Sequence, residues 1–184
     1  RDILPLSGIR AVVTRPKELS SRLSAMLRER GAEVIELPTI RIVPASDEGS
    51  LESAIRDISY GKYEWIVFTS PSGVRIFMEK LMDQSDIRSL AFCRIACIGK
   101  GSEKELHKYG IKADMIPSIY DGKHLGRELS RLLRDGDRVL IPRASEGNRE
   151  LVDELSAVNG VTVNDLATYD TEYRTFEWFD AEEV

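Results

Sequence analysis

The sequence has few of the features that would assign a protein to a metal-binding or membrane class. Its 184 residues include two cysteines and two histidines, which are too few and too widely spaced for a zinc site. The longest apolar runs are about five residues, far short of the roughly 20 that a transmembrane helix needs. Residues 1–5 (RDILP) contain no apolar signal-peptide core. We therefore expect a soluble, cytoplasmic protein.

A basic excess is also missing from the chain. The 26 Lys and Arg residues are outnumbered by 31 Asp and Glu, which gives a net charge of −5, whereas nucleic-acid-binding domains are usually basic. A cleft on an acidic protein can still be locally positive, so a compact anionic ligand fits this composition. Cys93 and Cys97 lie in a strand-like segment, where a spacing of four points both side chains to one face, and we predict ordinary buried thiols.

Short apolar runs alternate with segments of helical periodicity along the chain. They predict strands at 10–14, 32–37, 39–43, 65–68, 94–98, 113–116, 138–141 and 161–168, and helices at 17–30, around 51–58, and at 72–82, 103–109, 125–134 and 147–158. Three times a helix is followed by a glycine and a short strand, at Gly31, Gly110 and Gly160. This repetition predicts parallel sheets with right-handed crossovers. The expected fold is α/β, doubly wound and flavodoxin-like.

Four of the predicted strands end in loops that contain hydroxyls, glycines or a basic residue. In open α/β sheets the ligand crevice lies at the carboxyl ends of the strands, and backbone N–H groups at helix N-termini bind anions. The loops therefore predict a ligand with carboxylates or phosphates, although the same residue types are ordinary caps and turn residues. They are Thr14-Arg15-Pro16, Thr69–Gly73 (TSPSG), Gly99–Ser102 (GKGS, with a Ser102–Glu105 capping-box pattern) and Pro142–Ser145 (PRAS).

Side chains typical of nucleophilic catalysis are scarce. His107 falls on a helix flank and His124 at a helix start, and no Cys–His or Ser–His–Asp arrangement can be argued from spacing. Tyr169 directly follows the last predicted strand. Its hydroxyl would be able to donate a proton to a leaving group, and a packed aromatic side chain is equally compatible with this position.

The order and spacing of six segments resemble the uroporphyrinogen-III synthase family. The resemblance implies two flavodoxin-like, doubly wound parallel-sheet domains joined by a two-stranded linker, at about 36–44 and 166–171. Residues 1–37 would begin the first domain, 38–168 would form the second, and 169–184 would return to the first, which we expect to be incomplete in this chain. The six segments are Val12–Pro16 (VVTRP), Gly31–Pro38 (GAEVIELP), Phe68–Val74 (FTSPSGV), Ile98–Ser102 (IGKGS), Leu140–Arg143 (LIPR) and Thr168–Thr171 (TYDT).

The resemblance also implies an activity and assigns roles to site residues. Such enzymes are lyases that close hydroxymethylbilane to uroporphyrinogen III, with loss of water and inversion of ring D, in haem, sirohaem or cobalamin biosynthesis. No metal or organic cofactor is implied. Tyr169 would assist departure of the hydroxyl group, and Thr69, Ser70, Ser72 and Ser102 would line the cleft. The loop analysis adds Thr14, Arg15, Gly73, Gly99, Lys100, Gly101 and Arg143 as predicted substrate-binding residues.

Two other functions are compatible with the same loops. A non-catalytic module with two lobes that close on an anionic small molecule would use them equally well, and turnover would separate it from an enzyme. A regulatory flavodoxin-like domain would need an acidic pocket after the first strand, where Thr14 and Arg15 stand. We expect a monomer. Leu4–Gly8 (LPLSG) also resembles the junction of fusions in which a uroporphyrinogen-III methyltransferase precedes the synthase.

Overall fold

The computed structural model describes residues 4–15, 17–45 and 48–173, in which strands and helices alternate. Pro16 of the first predicted loop and residues 174–184 of the predicted returning segment lie outside the described residues. A 3₁₀ helix occupies Ile87–Leu90. The strands are β1 (Arg10–Val13), β2 (Glu33–Glu36), β3 (Ile40–Pro44), β4 (Trp65–Phe68), β5 (Arg94–Cys97), β6 (Arg138–Ala144) and β7 (Thr162–Tyr173), and the α-helices are α1 (Lys17–Glu29), α2 (Glu48–Ser59), α3 (Pro71–Gln84), α4 (Lys100–His107), α5 (Gly122–Ser130) and α6 (Glu150–Ser156).

The chain divides into two compact units. One runs up to Val43 and takes in the described residues after Asp170, and the other is Pro44–Asp170. In the first unit β1 and β2 pair in parallel. Gly31 has a φ of +94°, a conformation that a glycine adopts readily and that ends α1 before the turn into β2.

The second unit is built on a parallel sheet in which β4 and β6 are inner strands. β4 pairs with β5 on one side and with β6 on the other, and β6 pairs with β7. These four strands therefore lie in the order 2-1-3-4, as in flavodoxin-like doubly wound folds. An isolated parallel bridge joins Ala96 of β5 to Met115. The predicted α/β fold with parallel sheets is confirmed.

Helices cover both faces of this sheet. Ile66 and Phe68 of β4 belong to the apolar cluster on one face, whereas Trp65 and Val67 belong to the cluster on the other. All four side chains are buried, which is why the strand reads as a continuous apolar run without alternation. The ring of Phe68 packs edge-on against Phe77 of α3, with 5.4 Å between the ring centroids. β4 therefore ends in the packed core.

Two predictions at the carboxyl side of the sheet are wrong. α4 begins at Lys100, because Gly99 takes the cap position with an extended backbone; Ser102 thus lies in the first helical turn and forms no capping box with Glu105. The strand predicted at 113–116 is reduced to the bridge at Met115. There the Asp114 carboxylate accepts the N–H of Ile95 at 2.7 Å, in place of a backbone carbonyl.

Three further boundaries differ because local contacts extend or shorten an element. α5 starts at Gly122, since the Asp121 side chain accepts the N–H of His124 and caps the helix. α6 covers only Glu150–Ser156, because the residues before it form a loop. β7 continues past Thr168 to Tyr173, which places Tyr169 inside the strand.

The two cysteines are inert thiols of the core. Cys97 is buried in β5, and Cys93 is half-buried just before it, with its thiol donating to the Tyr63 carbonyl at 3.0 Å. Burial raises the pKa of each thiol to about 12. Among the described residues, no helix is long and apolar enough to cross a membrane, and no group of three His, Cys, Asp or Glu side chains is arranged to hold a metal ion.

Candidate functional site

The carboxyl ends of β4, β5, β6 and β7 bring their loops into contact within the second unit. Ser70, after β4, has its Oγ 2.9 Å from the Tyr169 Oη of β7. A Cβ placed on Gly73 would lie 3.1 Å from the Pro142 carbonyl oxygen of β6, and one on Gly101 would lie 3.6 Å from Pro71. The chain reverses direction across the sheet between β4 and β6, and such switch points are where doubly wound sheets bind ligands.

The loop Thr69–Gly73, which we call the hydroxyl loop, joins β4 to α3 in a tight turn. Ser70 has an extended backbone and caps α3, and its Oγ accepts the N–H of Gly73 at 2.9 Å. Pro71 fits the first helical position, where a missing N–H costs nothing. Ser72 is buried. Only Thr69 and Ser70 separate the end of β4 from α3. This short connection keeps the Ser70 hydroxyl at the edge of the sheet.

A β-bulge in β7 sets the direction of Tyr169. Arg143 is opposite Ala167, whereas the next residue of β6, Ala144, is opposite Tyr169, so Thr168 is an extra residue. Thr168 and Tyr169 are consequently both buried, although neighbours in a regular strand point to opposite faces. The Thr168 hydroxyl donates to the Arg143 carbonyl at 3.3 Å, which fixes the bulge against β6. Tyr169 is 7% exposed and reaches Ser70.

The N-terminus of α4 has no side-chain cap. Gly99 occupies the cap position, and the ring of Tyr120 covers it so closely that a Cβ on Gly99 would lie 3.1 Å from the ring. Lys100 is exposed, and Ser102 is buried with no partner for its Oγ among the described residues. The cap residue of α4 therefore provides no carboxylate or hydroxyl to bind the first N–H groups at the positive end of the helix dipole.

The N-terminus of α5 makes a contrast, because an acidic side chain already occupies it. The Asp121 carboxylate accepts the His124 N–H at 2.7 Å and also lies 2.8 Å from the His124 Nδ1. The hydrogen bond that the His124 backbone N–H donates holds the pKa of the Asp121 carboxyl below its usual value. Of these two helices, α4 is thus the one whose cap residue leaves the first N–H groups open to an anionic ligand, with the acidic Glu103 in its first turn.

Arg143 is buried and turned away from the hydroxyl loop into the loop Arg143–Arg149, which we call the arginine loop. Its Nε and Nη2 donate to the two carboxylate oxygens of Asp165 at 2.7 and 2.8 Å, and its Nη1 donates to the Asn148 carbonyl at 2.6 Å. A Cβ on Gly147 would lie 2.5 Å from Nη1, so the loop wraps directly over the guanidinium. The contacts that the structure gives Arg143 are those of a loop anchor.

The structure brings most of the predicted site residues together in the second unit. Thr14 and Arg15 are exposed and follow β1 in the first unit. The substrate-binding roles, and the catalytic role of Tyr169, stay predictions. The residues gathered at the carboxyl edge of the second sheet are Thr69, Ser70, Ser72, Gly73, Gly99, Lys100, Gly101, Ser102 and Tyr169, with Arg143 at the end of β6.

Sequence reasoning missed the contacts that act over long separations. Asp165, the partner of Arg143, is 22 residues away in the chain, and nothing in its local pattern marks it. Tyr120 covers Gly99 from a loop that carries no periodicity. The bulge at Thr168 also leaves no local sign, because Thr is common in regular strands. The glycine at position 147 was the one visible hint, since a glycine in a loop often permits a close approach.

Comparison with known proteins gives consistent matches over most of the chain. The family model described as uroporphyrinogen-III synthase HemD matches residues 21–184. The porphyrin biosynthesis protein HemD of Ruminiclostridium josui is 35% identical over 170 residues, which is 92% of this chain and 33% of that protein. The uroporphyrinogen-III synthase of Synechococcus elongatus is 32% identical over 167 residues, which is 91% of this chain and 62% of that protein.

A solved structure gives the same result for the fold. A mutant uroporphyrinogen III synthase from Thermus thermophilus superimposes with a TM-score of 0.63 at 17% sequence identity, covering 91% of this chain and 64% of that chain. At this identity the likeness is one of fold. The chain thus spans between 33% and 64% of the length of the relatives it matches.

Proposed function

Because the chain belongs to the uroporphyrinogen-III synthase family, we propose that the polypeptide that carries it converts hydroxymethylbilane to uroporphyrinogen III. The reaction is that of a lyase in tetrapyrrole biosynthesis. It removes water from the linear substrate, closes the macrocycle and inverts ring D. The downstream product, whether haem, sirohaem or cobalamin, does not alter the chemistry at this step.

The observation that carries the proposal is the Tyr169–Ser70 contact of 2.9 Å at the edge where α4 has no side-chain cap. Hydroxymethylbilane bears acetate and propionate arms on its pyrrole rings, and carboxylates of this kind are bound well by backbone N–H groups at a helix N-terminus. A phenol beside them supplies a proton donor. The proposal thus combines an uncapped helix N-terminus after β5 with a phenol on β7, at the same edge of the second sheet.

The chemical role of Tyr169 follows from the reaction. Its Oη would donate a proton to the hydroxyl group of the substrate as the C–O bond breaks and its electron pair moves to the oxygen, so that water leaves. The pyrrole nitrogen stabilises the resulting cationic carbon. The rest of the catalysis is positioning, since holding the two chain ends in one folded pose favours the spiro route to the inverted ring over direct closure.

The proposed activity is tested with the polypeptide at its natural length and freshly prepared hydroxymethylbilane. Uroporphyrinogen III should form, and chromatography of the oxidised porphyrins separates it from the type I isomer that arises spontaneously. A product that is only type I would overturn the proposal. Binding of hydroxymethylbilane without type III product would favour the non-catalytic two-lobed binding module.

Tyr169→Phe tests the proton donor directly. We expect the rate of type III formation to fall by about 100-fold, the lower end of what a general acid contributes, while the folded protein melts within a few degrees of the wild type. Tyr60→Phe is the matched control, because Tyr60 is 74% exposed at the end of α2. Unchanged turnover in Tyr169→Phe would remove the residue from the mechanism.

The same proposal includes the organisation of the polypeptide. Residues 1–37 and 169–184 would contribute to a first domain and 38–168 would form a second, with linker strands at about 36–44 and 166–171. We propose a cytoplasmic monomer. Light scattering of the natural polypeptide tests the monomer, and its intact mass tests a fusion to a methyltransferase.

A further inference from the structure

The Ser70 hydroxyl lies between the first turn of α3 and the phenol of Tyr169. Its Oγ is 2.9 Å from the Gly73 nitrogen and 2.9 Å from Tyr169 Oη. A backbone N–H can only donate, so Gly73 uses one acceptor site of the hydroxyl. The Ser70 proton and one further acceptor site then remain for a second bond, and in its contact with Tyr169 Oη either oxygen can be the donor.

The direction of the Ser70–Tyr169 bond decides what the phenol can do. If Tyr169 donated to Ser70, its proton would be held by the protein. If Ser70 donates, the Tyr169 proton can turn towards a ligand. A hydroxyl that accepts a bond becomes a better donor in its next bond, and the positive end of the α3 dipole adds to this polarisation. The contacts therefore favour the direction Gly73 to Ser70 to Tyr169.

We propose that Ser70 is a positioning residue, which donates to Tyr169 Oη and thereby directs the phenolic proton to the leaving hydroxyl of the substrate. This inference rests on the proposed function. When Tyr169 gives up its proton and water departs, the phenolate oxygen keeps the hydrogen bond from Ser70. The proton that the substrate loses on regaining aromaticity of its rings restores the phenol, so that one water is the sole by-product.

The surrounding backbone leaves little freedom to this arrangement. A Cβ on Gly73 would lie 3.2 Å from Ser70 Oγ and 3.1 Å from the Pro142 carbonyl oxygen, so the first turn of α3 sits tightly against β6. On the other side the bulge at Thr168 fixes Tyr169. Both ends of the Ser70–Tyr169 bond are thus held by backbone, which is what a positioned proton donor needs.

Steady-state kinetics of the natural-length polypeptide tests the role of Ser70. We expect Ser70→Ala to lower kcat for type III formation about tenfold, the effect of losing one hydrogen bond to a developing anion, with KM within twofold of the wild type. Ser70→Thr keeps the hydroxyl and should restore most of the rate. In a Tyr169→Phe background Ser70→Ala should cause no further loss of kcat. A full additional tenfold loss there would overturn the inference.

Two controls separate positioning from helix capping. Ser70→Gly places glycine at the cap, where it is almost as favourable as serine. This variant should lose as much kcat as Ser70→Ala but be more stable than Ser70→Ala. Asp86→Ala removes the cap of the 3₁₀ helix Ile87–Leu90, and should leave kcat unchanged. Wild-type kcat in Ser70→Gly would overturn the inference.

NMR spectroscopy tests the Ser70–Tyr169 hydrogen bond without turnover. In protein labelled with tyrosine at ¹³Cζ, the resonance lost in Tyr169→Phe identifies Tyr169. That resonance should shift in Ser70→Ala and return towards its wild-type position in Ser70→Thr. An unchanged resonance in Ser70→Ala would overturn the inference even where type III product forms, whereas a wild type that forms only type I product would overturn the proposed function and leave the bond itself to be decided by this measurement.

Discussion

The hydroxyl loop and the arginine loop have the same place in the fold and opposite constructions. Each follows a buried strand of the second sheet and leads to a helix, and each carries a polar residue that the sequence predicts to face a ligand. In the hydroxyl loop, two residues separate β4 from α3, and Ser70 points to Tyr169. In the arginine loop, residues 145–149 separate β6 from α6, and Arg143 is enclosed.

The difference comes from side-chain length and from the partner within reach. A serine at a cap has one short hydroxyl and cannot leave the sheet edge. An arginine can fold back, and Asp165 on the adjacent strand offers a bidentate carboxylate, the geometry that a guanidinium prefers. A basic residue at a strand end is therefore weaker evidence for an anion site than a hydroxyl at a helix cap.

Among the changes that test this comparison, Arg143→Ala should cause the largest loss in the free energy of unfolding. It leaves Asp165 and the Asn148 carbonyl without their partner, and we expect a loss of about 2–3 kcal/mol in the free energy of unfolding, less than for a fully buried pair because the Asp165 side chain is 33% exposed. Urea denaturation measures the change. If stability stayed the same while KM for hydroxymethylbilane rose tenfold, the guanidinium would be a substrate ligand and the contrast between the loops would fail.

Gly147→Ala should have a smaller effect that depends on Arg143. The new Cβ would lie 2.5 Å from Nη1, so the guanidinium must move off Asp165, and we expect a loss of about 1–2 kcal/mol from overpacking. Combined with Arg143→Ala, the same change should cost almost nothing further, which a double-mutant cycle measures. Equal costs in both backgrounds would indicate that the loop is not built around the arginine. Gly147 does not have a positive φ, so backbone strain adds nothing to this cost.

Removing the cap of the hydroxyl loop should cost less again. Ser70→Ala should lower the free energy of unfolding by about 1 kcal/mol, and Ser70→Gly by only a few tenths, because glycine is tolerated at helix caps. Thermal or urea melting compares the two. Equal losses would mean that the hydroxyl stabilises the fold through Tyr169 more than through α3.

Ionisation of the Cys97 thiol, which lies next to the hydroxyl loop, should not affect the free energy of unfolding at neutral pH. It should lower that free energy only at alkaline pH. Cys97 is in register with Phe68, and its folded pKa is about 12 against an ordinary value of 9.0. A raised thiol pKa stabilises the fold below pH 9, and this stabilisation is lost as the pH rises from 9 towards 12. Cys97→Ala should flatten the alkaline decline of the free energy of unfolding. A decline of unchanged slope would show that other groups cause it.

Local pattern was sufficient for the order of the six α-helices and of seven of the eight predicted strands. The apolar run Trp65–Phe68 predicts β4 to the residue, because a strand buried on both faces has no polar positions. Gly31, Gly110 and Gly160 mark helix ends and all have positive φ. Such features depend on a few neighbouring residues, and a sequence displays them directly.

The sequence predicts which residues lie at this edge of the sheet better than it predicts how they are arranged. The sequence puts Ser70 at a cap and Tyr169 at the end of a strand, but their contact spans 99 residues and depends on the bulge. Ser102 was expected to cap α4, and Gly99 does so, because a helix can start on backbone geometry alone. The inward turn of Arg143 depends on Asp165, a residue with no local mark.

The extra residue in β7 also sets a limit on how this chain can tolerate deletions. Were Thr168 removed, β6 and β7 could pair without interruption, and the following side chain would take the phase of an ordinary strand. Tyr169 would keep its place opposite Ala144, and only the extra local twist that the bulge gives β7 would be lost. A homologous chain one residue shorter at this point can thus keep the strand register and the whole hydroxyl loop, and its Ser70–Tyr169 distance would then report the twist of β7 alone.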